Sequence, residues 1–141
     1  MYAAMDIAKY IINKCIELNR PISNLQLQKI LYYVQGGYIK ATKGDKLFDE
    51  DLEAWAYGPV VPGVYYKFNK YSSSNINSEY DSPYLNEKIR EIVDPIIEEK
   101  SLLSAWNLVE KTHKETPWIR SYEEGKNNKI SLEKMQDFFC S

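Results

Sequence analysis

One histidine, two cysteines and a short acidic run are the side chains of this sequence whose chemistry could reach beyond packing. His113 stands two residues before Glu115 in the segment Thr112-His113-Lys114-Glu115-Thr116-Pro117-Trp118. An imidazole with a carboxylate nearby can exchange protons as an acid–base pair. Nucleophilic catalysis would also need an activated Ser or Cys, and no nucleophile elbow is present. A zinc site needs roughly four N, S or O ligands, and one His with Cys15 and Cys140 at opposite ends of the chain falls short. The structural reading of His113 is therefore preferred: hydrogen-bonded near a helix end, where its charged form interacts well with the helix dipole. The acidic run Asp49, Glu50, Asp51 and Glu53 lacks the glycine turn and ligand ladder of a calcium loop, so it reads as a solvated face. Gly36-Gly37 lies inside a helical pattern and does not match a phosphate-binding fingerprint, which sits between a strand and a helix. No catalytic residue, metal or cofactor is expected. A small enzyme using His113 and Glu115 stands as the alternative.

Composition narrows the classes further. The chain has 141 residues, 44% hydrophobic and 27% charged, which suits one domain spanning 1–141 with one real core. A net charge of −2 and dispersed Lys and Arg argue against a broad nucleic-acid footprint, and a nucleic-acid-binding regulator stands as a further alternative that a basic face gathered by folding would favour. No apolar run approaches the roughly 18 residues of a membrane span. Asp6 and Lys9 break the N-terminal apolar pattern, so it is not read as a signal peptide. Two cysteines form no disulfide framework, and Cys15 falls on an apolar stripe as an inert core thiol. A cytoplasmic protein is expected.

The elements that would position these residues are mostly helical, about six in number. Ala4, Ile7, Ala8, Ile11, Ile12, Cys15 and Leu18 share one face of a helix over 3–18, stopped by Asn19-Arg20-Pro21. Ser23 and Gln26 form a capping box that starts a helix over 24–41. Gly36-Gly37 interrupts its stripe, tolerated either for close approach of another backbone or for a kink. Residues 51–57 alternate as one short strand. Gly58-Pro59-Val60-Val61-Pro62-Gly63 reads as a rigid connection, with Pro62 at the first turn of a third helix. The serine-rich stretch 71–83 reads as an exposed loop. A helix over 85–100 contains Pro95, which should kink it near 91–94. Ser104 and Ser131 cap later helices, and Thr116-Pro117 starts a short one running through Tyr122. The whole should be a compact, mostly α single-domain bundle.

Aromatics make up 13% of the chain, with twelve Tyr, three Trp and four Phe. Trp55, Tyr57, Tyr65, Tyr66, Trp106 and Trp118 either fill the core and dot the surface or build a binding surface.

Three segments carry a family resemblance: Leu25-Gln26-Leu27-Gln28-Lys29-Ile30-Leu31-Tyr32-Tyr33-Val34-Gln35-Gly36, Glu53-Ala54-Trp55-Ala56-Tyr57-Gly58-Pro59-Val60-Val61-Pro62-Gly63-Val64-Tyr65, and Thr112 to Trp118 preceded by Ser104 and Leu108. In order and spacing the chain resembles the Panacea antitoxin domain family. The resemblance implies a compact helical domain of bacteria, prophages and mobile elements that neutralises a protein toxin by direct binding. It also implies, for some members, an adaptor role that presents the toxin to the ClpXP protease. The family's motif residues map to Gln28, Tyr32, Gln35, Trp55, Gly58, Pro59, Val60, Pro62, Tyr65, His113, Pro117 and Trp118. The stiff segment around Gly58 leads us to expect partner contacts at Trp55, Tyr57, Gly58, Pro59, Val60, Pro62 and Tyr65. Gln28, Tyr32, Gln35, His113, Pro117 and Trp118 are expected to be structural.

Overall fold

The chain is organised around its second helix, and the computed structural model describes all 141 residues. That helix, α2 (Asn24–Thr42), begins at the expected capping box: Ser23 accepts from the Gln26 backbone while the Gln26 side chain accepts from the Ser23 backbone. It ends at Lys43, which takes a left-handed conformation. Leu27, Ile30, Leu31, Val34 and Ile39 are buried on it, as are the polar Asn24, Gln28, Lys29 and Gln35. A helix buried nearly all round is a central one.

Six helices accompany it: α1 (Ala4–Glu17), α3 (Pro62–Phe68), α4 (Glu87–Lys100), α5 (Ala105–Thr112), α6 (Thr116–Ile119) and α7 (Leu132–Phe139). α1 lays Ala4, Ile7, Ala8, Ile11, Ile12 and Cys15 on the core, the predicted stripe less Leu18, which is its C-cap. α4, α5 and α7 pack on other sides of α2. Gly36 and Gly37 mark two of these contacts: a Cβ at Gly36 would overlap the Phe139 ring of α7, and one at Gly37 would overlap Ile96 of α4. Close approach of side chains, and not of another backbone, is thus the reason for the glycine pair. α4 continues through Pro95.

Strand content exceeds the single short strand read from the sequence. β2 (Leu52–Trp55) is central in a three-stranded antiparallel sheet, between β3 (Gly58–Val60) and β5 (Asn128–Ile130). β1 (Ile22–Ser23) pairs with β4 (Asn75–Ile76), which lies in the serine-rich stretch expected to be a loop. Strands of two or three residues are too short to show a period-two pattern, and only their distant partners define them. Ala56 and Tyr57 form the turn between β2 and β3. α6 starts after Glu115, whose side chain makes no capping bond, and ends at Ile119, three residues short of the expected Tyr122.

Candidate partner-binding surface

The β2–β3 hairpin has an inner side, bonded to α2 and α6 and packed on α5, and an outer side that meets solvent. The inner side is tied by buried polar side chains. Gln28 Oε1 accepts from the Val61 backbone at 3.0 Å, and its amide donates to Asn24 at 2.9 Å. Asn24 in turn donates to the Tyr65 carbonyl at 3.1 Å. Lys29, fully buried, donates to the Pro59 carbonyl at 3.0 Å. Burial holds its ammonium pKa down at about 7, because no solvent stabilises the charge. Trp118 Nε1 donates to the Trp55 carbonyl at 2.8 Å. Each such bond contributes about 1 kcal/mol net, and a buried partner left alone costs roughly 1–3 kcal/mol.

Gly58 sits where these ties converge. Its φ is +104°, and a Cβ there would lie 2.7 Å from both Lys29 Cε and Thr112 Oγ1. Only glycine has that backbone freedom without a side chain to place. Gln35 does similar work further along α2. Its amide donates to the Phe48 carbonyl at 2.9 Å and its oxygen accepts from the backbone of Leu47 and Phe48, which pins that loop to the helix.

His113 and Glu115 are not brought together as a pair. The Glu115 carboxylate turns to α2, accepting from Tyr32 at 2.9 Å and from Tyr33 at 3.0 and 3.1 Å, with Lys111 Nζ at 3.9 Å. Burial raises its pKa, against the opposing effect of the two tyrosine bonds and the lysines. Burial by itself also pushes the Tyr32 and Tyr33 hydroxyls up, and the carboxylate adds to it. His113 is half-buried at the C-cap of α5 and stacks on Trp118, with centroids 3.9 Å apart, and Trp118 stacks on Tyr122 at 4.6 Å. Its Nε2 is enclosed without a hydrogen-bond partner. Burial lowers its pKa, the nearby Ala56 backbone opposes this, and Lys29 adds to the lowering. No three His, Cys, Asp or Glu side chains converge as a possible metal site, and no helix is long and apolar enough to cross a membrane.

The outer side is aromatic. Tyr57, at the hairpin turn, is 57% exposed and meets Trp106 of α5 edge to face at 5.4 Å; Trp106 is 58% exposed. Tyr66, 64% exposed, stands 6.2 Å from Trp55 and 5.6 Å from Tyr65. Trp55 and Tyr65 are half-buried and meet edge to face at 5.1 Å. Between Tyr57 and Tyr65 lies a cleft of about 490 Å³. Of the residues expected to touch a partner, Tyr57 is exposed and Trp55, Pro62 and Tyr65 are partly so, whereas Gly58, Pro59 and Val60 are buried. Gln28, Tyr32, Gln35 and Pro117 are buried too, and Trp118 and His113 half-buried.

Sequence reasoning placed a binding surface between Trp55 and Tyr66 but counted Trp106 among the aromatics without setting it there, because Trp106 reaches Tyr57 across 49 positions of chain. It also missed Lys29 and Asn24. The available signal for Lys29 was a cation that, with Gln28, stands between the apolar Leu27 and Ile30-Leu31 on a central helix.

Residues 27–119 match the family model described as antitoxin SocA-like, Panacea domain. The chain is also 33% identical over 128 residues to Antitoxin SocA of Caulobacter vibrioides, covering 82% of this chain and 68% of that protein. No solved structure matches it. The family match takes in the second and third motifs and the first from Leu27 onward, which build the hairpin and its supports, and the chain belongs to the SocA-like Panacea antitoxin family.

Proposed function

We propose that this protein is an antitoxin that neutralises a protein toxin by direct contact, through the ridge formed by Tyr57, Trp106 and Tyr66. The observation that carries this reading is the placement of three large aromatics, each more than half exposed, around a hairpin held rigid from below. Exposed Tyr and Trp on a preorganised support are the usual anchors of protein interfaces. Such an anchor loses little conformational freedom on binding, because the backbone beneath it is already fixed. The family relationship supplies the partner class, a toxin.

The enzyme alternative draws no support from the site, since Glu115 is bonded to Tyr32 and Tyr33 and not to His113. The test is co-expression with the product of the neighbouring gene. The wild type should restore growth, and Tyr57→Ala with Trp106→Ala should weaken binding by about 2 kcal/mol or more, roughly thirtyfold, with the fold intact. A folded double variant with unchanged affinity would place the contact elsewhere. A wild type that binds and rescues nothing would remove the antitoxin reading. The adaptor role toward a ClpXP-type protease, which the resemblance implies, predicts a toxin half-life that shortens in the presence of this protein only when ClpX is active.

A further inference from the structure

The cleft beside the ridge differs from the ridge in shape and in chemistry. Trp55, Tyr65, Val60 and Leu25 line it, with Tyr57 on one side and Ser73 on another. At about 490 Å³ it falls within the roughly 300–1,000 Å³ of clefts that hold ligands. None of the ten residues around it is charged, although a share of 27% would place about three charged residues among ten. An anionic occupant would give up hydration there and find no counter-charge, with the Glu53 carboxylate already bonded to the Trp55 wall.

We infer that this cleft receives an uncharged segment of the partner protein, an aromatic or large aliphatic side chain together with the backbone that carries it, as a hole that complements the ridge's knob. The inference rests on the reading of the ridge as a toxin-binding surface. Three features fit this occupant. The walls are preset: Trp55 Nε1 donates to Glu53 at 2.9 Å, the Trp55 carbonyl is held by Trp118, and the Tyr65 carbonyl is held by Asn24. The two wall rings stand at 65°, so a third ring can meet one by its face and the other by its edge. The Asn69, Ser72 and Ser73 side chains are exposed at the rim, where they can bond a partner's backbone once its apolar group is seated. Tyr57 belongs both to the cleft and to the exposed pair with Trp106, so one partner covers both.

The experiment has two arms. In the first, N-acetyl-tryptophanamide and, separately, N-acetyl-glutamate amide are titrated into the ¹⁵N-labelled protein. The neutral aromatic probe should shift the amides of Ala56, Tyr57 and Ser73 saturably. The anionic probe should bind at least tenfold more weakly. Ser73→Glu, an exposed position whose change should leave the melting temperature unaltered, should weaken the aromatic probe at least tenfold. Absence of a saturable shift, or equal response to both probes, overturns the inference. In the second arm, Ser73→Glu and the control Asn77→Glu, exposed and outside the cleft, are compared in the co-expression assay. Loss of rescue by Ser73→Glu alone is the expected result. If Ser73→Glu rescues as well as the wild type, no partner side chain enters the cleft, even where the probe binds. The Tyr57→Ala and Trp106→Ala variants then decide the ridge on their own.

Discussion

The two sides of the β2–β3 hairpin are built from adjacent residues and held by opposite chemistry. On the inner side, Gly58, Pro59 and Val60 are buried, and the carbonyls of Trp55 and Pro59 and the Val61 amide are bonded to Trp118, Lys29 and Gln28. On the outer side, Tyr57, Tyr66 and Trp106 stand exposed and meet chiefly other aromatic rings. The family motifs are densest on the inner side. A buried backbone group needs a particular donor or acceptor at a particular place, so few substitutions serve there. An exposed aromatic answers to no internal partner, which leaves it free to be chosen for whatever it meets. The lesson is that a motif can mark the support of a surface more sharply than the surface itself.

The largest effect expected from breaking the inner side is at Gly58. Gly58→Ala adds a Cβ against Lys29 and Thr112 and strains a positive φ, so it should lower stability by about 3 kcal/mol in urea denaturation. A loss below about 1 kcal/mol would mean that the inner side tolerates change as the ridge does.

Next in size is the pH dependence that Lys29 imposes. Its folded pKa, about 7, lies below its ordinary value of 10.5. For a depressed pKa the unfolded chain binds the proton more tightly, so stability is fully present above the unfolded value and is lost as pH falls towards the folded one. Stability should therefore rise by about 2 kcal/mol between pH 7 and pH 9, and Lys29→Met should flatten that slope. An unchanged slope in the variant would show that Lys29 is not the group responsible. Glu115 acts in the other direction and in a lower window: its pKa is raised, so its contribution is full below the ordinary carboxyl range and is lost as pH rises through the folded value.

Tyr32→Phe should cost about 1.5 kcal/mol, because the buried Glu115 carboxylate loses one of its donors. Differential scanning calorimetry would read this, and no change would mean that Tyr33 alone suffices. The smallest stability effect belongs to the ridge. Trp106→Ala should change stability by less than about 1 kcal/mol, since Trp106 is 58% exposed. A larger loss would make Trp106 part of the core and would dissolve the contrast between the two sides.

Much of the helical frame was readable from local pattern. The stripe from Ala4 to Cys15, the Ser23–Gln26 capping box, Pro62 at a helix start and the Ser104 and Ser131 caps all appear as expected. These features span a few residues each, and periodicity or capping chemistry defines them without a distant partner. The four unforeseen strands, β1, β3, β4 and β5, had no such local signature. Nor does motif content tell which of its residues reach the surface: seven residues around Gly58 were expected to meet a partner, and the structure buries Gly58, Pro59 and Val60, exposes Tyr57 and leaves Trp55, Pro62 and Tyr65 partly exposed.

What the sequence by itself determined is the helix register, the family and the presence of more aromatics than a small core readily absorbs, because each is written in residue type and short-range spacing. Only the tertiary structure decided which aromatics face outward, that Glu115 serves Tyr32 and Tyr33 and not His113, and that Lys29 is sealed beneath the hairpin. These depend on contacts between residues 30 to 83 positions apart in the chain. Burial is a property of the neighbours that folding brings, and neither composition nor spacing records them.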